Sequence, residues 1–185
     1  MEFLKKIDFC YAPLPCSLVP FVALTEAGVD FDVKTINLRI QQQGLPEFTR
    51  INPKHKVPLL VADGKPLSEN VAIQLWIARN FPHAELLPTD PWEELQATAM
   101  LSWFASGFHP HLSRINSPKK FCGQEEAEDG VVRLAKDALT EQIGIAEMAL
   151  AHREFFFDHF TTADVYFFLV LPACADLGGG CLRLH

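Results

Sequence analysis

The chain has 185 residues, 49% of them hydrophobic and 21% charged, a length and balance that suit one domain or two small ones and exclude whole-chain disorder or collagen-like repeats. Lys plus Arg number 16 against 23 Asp plus Glu, a formal charge of −7, which disfavours a nucleic-acid groove or an anionic membrane as partner because phosphate binding needs clustered cations. The close basic pairs, Lys5-Lys6 and Lys119-Lys120, read as solvated surface. The longest apolar stretch, from Tyr166 to Cys174, falls short of the roughly 18–20 residues of a membrane helix and contains Pro172.

The N-terminal residues show no apolar core followed by a small-residue cleavage site, so no signal peptide is expected. The five cysteines, Cys10, Cys16, Cys122, Cys174 and Cys181, are odd in number and scattered. Reduced thiols in a cytoplasm fit them better than a disulfide framework, and no Cys/His spacing suggests zinc.

In chain order, Ile7, Phe9 and Tyr11 alternate at period two and predict a first strand. After the stiff run Ala12-Pro13-Leu14-Pro15, a helix is expected to open near Cys16-Ser17 and to stop at Gly28. Residues 31–37 read as a second strand. Residues 39–52 read as polar and irregular, with one helical turn near 47–50. Residues 57–61 read as a third strand, and Asp63-Gly64 is a tight-hairpin signal that makes a short fourth strand at 65–67 antiparallel to it. Ser68 then precedes an amphipathic helix ending near Phe81-Pro82.

Beyond a proline-bearing linker the pattern is helical. Asp90-Pro91-Trp92-Glu93 combines an acidic N-cap, Pro at N1 and Glu at N3 reaching back to the cap. One long helix is expected to run from there to Asn116, a second from about 125 to 151, and a third from Thr161, with Thr161 as cap, Asp164 at N3, and Phe160 and Val165 as staple positions. The chain thus divides into residues 1–82, a linker at 83–90, and residues 91–185.

Several residue groups could carry chemistry. Cys16 sits at a helix start, where free N–H groups and the dipole favour a thiolate; the alternative is a small side chain packed in the first turn. Ser17 is either a donor to a bound sulfur or a simple cap. Val57-Pro58 is either a cis bond that turns the Val57 backbone toward an extended peptide or a trans proline on a strand edge. Ser68-Glu69-Asn70 either receives a ligand carboxylate and ammonium or only caps a helix. His109 and His111 lie two apart and face different sides of a helix, which argues against a shared metal. No dinucleotide, P-loop, hydrolase or metalloprotease motif occurs.

Four segments together resemble the glutathione S-transferases, most closely the bacterial beta class. They are Tyr11-Ala12-Pro13-Leu14-Pro15-Cys16-Ser17-Leu18, Ile51-Asn52-Pro53-Lys54 leading to Val57-Pro58, Leu67-Ser68-Glu69-Asn70-Val71-Ala72-Ile73, and Asp158-His159-Phe160-Thr161-Thr162-Ala163-Asp164. The resemblance implies a thioredoxin-like N-terminal domain of order β-α-β-α-β-β-α and an all-helical C-terminal domain on the electrophile side, assembled as a homodimer. It implies glutathione as co-substrate, with no metal or nucleotide, and a hydrophobic electrophile. Cys16, Ser17 and His109 become the expected catalytic residues. Tyr11, Arg39, Gln41, Val57, Pro58, Glu69, Asn70 and Ser106 become the expected glutathione contacts. The reaction expected is conjugation of glutathione to an apolar electrophile, or thiol-disulfide exchange through a Cys16 mixed disulfide; the alternative is a glutathione-binding or interaction module without turnover. Phe104, Phe108, His109 and Leu112 read either as the electrophile pocket or as core.

The chain departs from the class at several positions. Leu14 replaces a usual glycine, Gln41 a frequent lysine, Asn70 a small residue, and Phe157 a glycine. Relatives in the class continue for some tens of residues past the third helix, whereas this chain turns at Pro172 and carries three glycines at 178–180, so a shortened C-terminus is expected.

Overall fold

A computed structural model describes residues 6–13 and 15–170. The sequence readings at Leu14, at Cys174 and Cys181, and at the shortened C-terminus lie outside those residues. The chain divides between Thr89 and Asp90 into two compact units.

The first unit is a four-stranded sheet in the order β2-β1-β3-β4. Strand β1 (Ile7–Tyr11) pairs parallel with β2 (Asp32–Thr35) and antiparallel with β3 (Leu59–Ala62), and β3 pairs antiparallel with β4 (Lys65–Ser68). The parallel pair needs a crossover, supplied by helix α1 (Pro15–Glu26). Gly28 ends that connection at φ +63°, a left-handed conformation that glycine adopts without a Cβ penalty. Asp63 and Gly64 turn β3 into β4 with φ of +47° and +78°, the geometry of a two-residue hairpin.

The alternation in β1 sorts the core. Ile7 and Phe9 face α1 and α3 (Asn70–Asn80), where Leu24, Leu60, Ile73 and Ile77 close around them. Cys10 faces the other side and packs with Ile36, Phe48 and Leu59 under the short helix α2 (Pro46–Thr49). Tyr11, at the strand's end, is half-buried, its ring 5.4 Å from Phe21.

Strand β2 is shorter than the expected 31–37, and two boundaries beside Cys16 also move. The third strand starts at Leu59, so Val57 and Pro58 stand just before it, and their peptide bond is cis. Ser68 ends β4 instead of capping the helix; Glu69 occupies the N-cap position with φ +77° and no side-chain cap bond.

The second unit begins at α4 (Pro91–Trp103), whose N-cap Asp90 accepts from Trp92 N and Glu93 N at 3.0 Å each. Glu93 makes no return bond. The expected single helix to Asn116 is interrupted by a π-turn at Phe104–Phe108 before α5 (His109–Asn116). Pro110 explains the interruption: it has no N–H and its ring crowds the preceding turn, so the chain widens and His109 N–H bonds to Phe104 O. Helix α6 (Glu128–Leu150) follows a 3₁₀ turn, and α7 (Thr162–Val170) completes the described chain. Asp164 binds back to the residues that lead into α7, accepting from Phe156 N at 2.9 Å, Thr161 N at 2.8 Å and Thr161 Oγ1 at 3.0 Å.

Candidate functional site

Cys16 occupies the second position of α1 and is half-buried. Its Sγ lies 3.8 Å from Val57 O, toward which the neutral thiol donates. Burial pushes the thiol above its ordinary value. The Ser17 hydroxyl, the main-chain N–H groups of Ser17 and Cys16, and the Lys56 ammonium act in the opposite direction without overcoming burial. Burial thus outweighs the groups at the helix start that favour a thiolate. Ser17 Oγ is fully buried and has no hydrogen-bond partner among the described residues. It is positioned to answer charge on a sulfur at Cys16 without being satisfied in the resting chain.

The start of α3 stands against the same turn. Asn70 is buried, and its Nδ2 donates to Cys16 O at 2.6 Å. Its Oδ1 accepts from Gln74 Nε2 at 3.2 Å. The Asn70 amide is thus engaged inside the protein, which leaves its backbone N–H at the helix start as the group able to meet a carboxylate. Glu69 is exposed and paired with Lys54 Nζ at 2.6 Å, and the same ammonium donates to Ser68 Oγ at 3.2 Å. Asn52 holds the loop between, donating to Lys56 O at 2.7 Å and accepting from Lys54 N at 3.2 Å.

Structure brings Cys16, Ser17, Val57, Pro58 and Asn70 together, with Glu69 alongside. Arg39 lies on the first of two 3₁₀ turns after β2 and Gln41 between the two, and both are exposed. Gln41 takes φ +55° to join those turns, and neither side chain contacts Cys16 in a bond the structure records. Tyr11 is anchored by its aromatic neighbours Phe9 and Phe21.

The remaining candidates belong to the helical unit. Ser106 Oγ donates to Ser102 O at 2.9 Å across the π-turn, and His109 opens α5. Phe104, Phe108 and Leu112 are core side chains: Phe104 and Phe108 are fully buried, their rings 5.1 Å apart, and Phe104 stacks on Tyr166. The pocket reading of those three gives way to the core reading.

Sequence reasoning missed Lys54, Lys56 and Gln74. The signal for the lysines was available, since the absent lysine at Gln41 left the Lys-His-Lys stretch before Val57 as a nearby source of positive charge. Gln74 gave a signal only as a polar residue on the buried face of an amphipathic helix. Among the described residues, no group of three or more His, Cys, Asp or Glu is placed to hold a metal ion, and no helix is long and apolar enough to cross a membrane.

Residues 9–79 match the family model described as glutathione S-transferase, N-terminal domain. Most of the chain aligns with glutathione S-transferase GstA of Escherichia coli O157:H7 at 30% identity over 169 residues, covering 87% of this chain and 79% of that protein. The chain belongs to the glutathione S-transferase family. A bacterial beta class glutathione S-transferase of Sphingomonas chungbukensis superposes with a TM-score of 0.78 at 31% identity, over 94% of this chain and 85% of that one. A sphingomonad glutathione S-transferase solved in complex with glutathione gives 0.79 at 27% identity, over 94% and 85%. The "Probable maleylacetoacetate isomerase" of Caenorhabditis elegans is 33% identical over 106 residues, 57% of this chain. The chain spans about half of that relative's length, 49%.

Proposed function

We propose that this family member is a cytoplasmic, homodimeric glutathione-dependent transferase whose sheet unit, residues 1–82, binds glutathione and whose helical unit, residues 91–185, is the electrophile side. The observation that carries the reading is the half-buried Cys16 thiol set against Val57 O beside a cis proline, next to the N-terminus of α3. An extended, anionic peptide suits such a site. Its cysteinyl unit pairs with the Val57 backbone at Pro58, its γ-glutamyl carboxylate meets the N–H groups at Asn70, and its ammonium approaches Glu69. The glycyl carboxylate falls to Arg39, Gln41 and Lys56. Tyr11 supplies a wall.

Two reactions follow from the same placement. In conjugation, the glutathione thiolate attacks an electrophilic carbon, a C–S bond forms, and the displaced group leaves with the electron pair, or the acceptor carbon's neighbour takes the charge and then a proton. Ser17 Oγ donates to the thiolate, and from the helical unit Ser106 is a further glutathione contact and His109 a catalytic group. In exchange, the Cys16 thiolate attacks glutathione disulfide, expels one glutathione thiolate and keeps the other as a mixed disulfide, which a second glutathione resolves. The same glutathione-held thiolate could add reversibly to an unsaturated acid, the direction in which the isomerase likeness points. The raised thiol of Cys16 favours a second reading, a glutathione-binding module without turnover.

Calorimetric titration with reduced glutathione tests the binding half of the proposal. The parent is expected to bind, and Glu69→Ala to bind roughly tenfold more weakly, through loss of one charged hydrogen bond. A folded parent that binds no glutathione at millimolar concentration overturns it.

A further inference from the structure

The carbonyl of Cys16 has lost its helical partner. In an α-helix the oxygen of residue 16 accepts from the N–H of residue 20, and residue 20 is proline, inside α1. Proline has no N–H, and its ring pushes on the carbonyl four residues before it. The missing donor comes from another element: Asn70 Nδ2, from the first turn of α3, reaches Cys16 O at 2.6 Å. Asn70 is itself held by Gln74 one turn on, through Nε2 to Asn70 Oδ1 at 3.2 Å, and Gln74 is fully buried.

That carbonyl belongs to the same peptide unit as the Ser17 N–H, one of the groups that hold the Cys16 thiol down against the effect of burial. A hydrogen bond accepted at the oxygen of a peptide polarises its N–H and makes it a better donor. We propose that Asn70, oriented by Gln74, is a positioning residue for the Cys16 thiol: it replaces the donor that Pro20 removes, fixes the first turn of α1, and strengthens the Ser17 N–H of the same peptide as a donor to the thiolate. The adjacent Ser17 hydroxyl, fully buried and without a hydrogen bond among the described residues, is a second polar group of that turn left to answer charge on the sulfur. Gln74 has no exposed surface and acts only through Asn70. The inference deepens the reading of Cys16 as the reactive sulfur, and it is independent of whether glutathione is the ligand.

The test therefore uses no glutathione. The rate of Cys16 alkylation by iodoacetamide is followed against pH by intact mass, in a background where Cys10, Cys122, Cys174 and Cys181 are changed to alanine. Asn70→Leu is expected to shift the titration upward and slow alkylation at neutral pH by roughly two- to fivefold, with Gln74→Leu changing in the same direction by less. Adding Pro20→Ala gives the carbonyl an intrahelical donor again and is expected to restore most of the loss. A general loosening of packing would not be rescued by that change. An unshifted titration in folded Asn70→Leu, or a loss that Pro20→Ala leaves untouched, overturns the proposal. Should Asn70→Leu fail to fold, Gln74→Leu with and without Pro20→Ala decides the same question by the same two outcomes. Absence of glutathione binding alongside a rescued titration would refute the proposed ligand and leave the positioning role standing.

Discussion

Replacing Asp164 with alanine removes the acceptor for three hydrogen bonds at once. Its carboxylate takes Phe156 N at 2.9 Å, Thr161 N at 2.8 Å and Thr161 Oγ1 at 3.0 Å. Thr161 is 0% exposed and Phe156 4%, so water reaches these donors poorly once the carboxylate is gone. An orphaned buried donor costs about 1–3 kcal/mol, and loss of a helix cap adds to this. Partial relaxation offsets some of it, so the net cost is about 3–5 kcal/mol. Against a total stability of about 5–15 kcal/mol, that is a large fraction. For a chain of this length unfolding as one unit it corresponds to a melting temperature lower by about 6–20 °C. Urea denaturation followed by far-ultraviolet circular dichroism, with calorimetry beside it, reads both quantities. Asp164→Asn keeps one acceptor oxygen and is expected to fall between parent and alanine variant. A loss below about 1 kcal/mol in Asp164→Ala would show that the three bonds do not anchor α7 as described.

Two further outcomes test other parts of the helical unit. His111 Nδ1 is buried without a hydrogen-bond partner among the described residues, and burial, then the Arg114 charge, lowers its proton affinity below the usual histidine value of 6.5. Between the lowered value and 6.5 the unfolded chain holds more proton than the folded one, so this residue's contribution to stability falls as pH drops through that window. His111→Gln is expected to flatten the loss, measured by denaturant midpoints from pH 7.5 to 5, and an unchanged slope contradicts it. A Cβ at Gly107 would meet Trp103 Cδ1 at 2.9 Å and Nε1 at 3.0 Å. Gly107→Ala should therefore disturb the Trp103 Nε1 to Gln142 Oε1 bond of 2.7 Å and cost about 1–3 kcal/mol; a parental melting temperature would refute this.

Local signals with a single cause were legible in the sequence. Period-two alternation placed β1, Asp63-Gly64 placed the hairpin, and Asp90 and Asp164 announced helix starts through their side chains. The resemblance, resting on four ordered segments, carried the family. What the sequence hid depends on partners distant along the chain. The π-turn needs Pro110 inside a helix that already has a good start and end, and periodicity alone runs straight through it. Asn70 reads as a ligand group by position, yet its amide turns inward because Pro20, fifty residues earlier, leaves a carbonyl to satisfy. The proton affinity of Cys16 is a contest between a helix start and burial, and only the three-dimensional packing says that burial is larger.

The central claim is that Cys16 is the sulfur of a glutathione site. It is tested most directly by intact mass after incubation of the parent and of Cys16→Ala with oxidised glutathione. One glutathionyl group on the parent and none on the variant is the expected result, with the yield rising as pH is raised toward the elevated thiol value. A folded parent that stays unmodified at alkaline pH, or a variant modified equally at another cysteine, would contradict the claim.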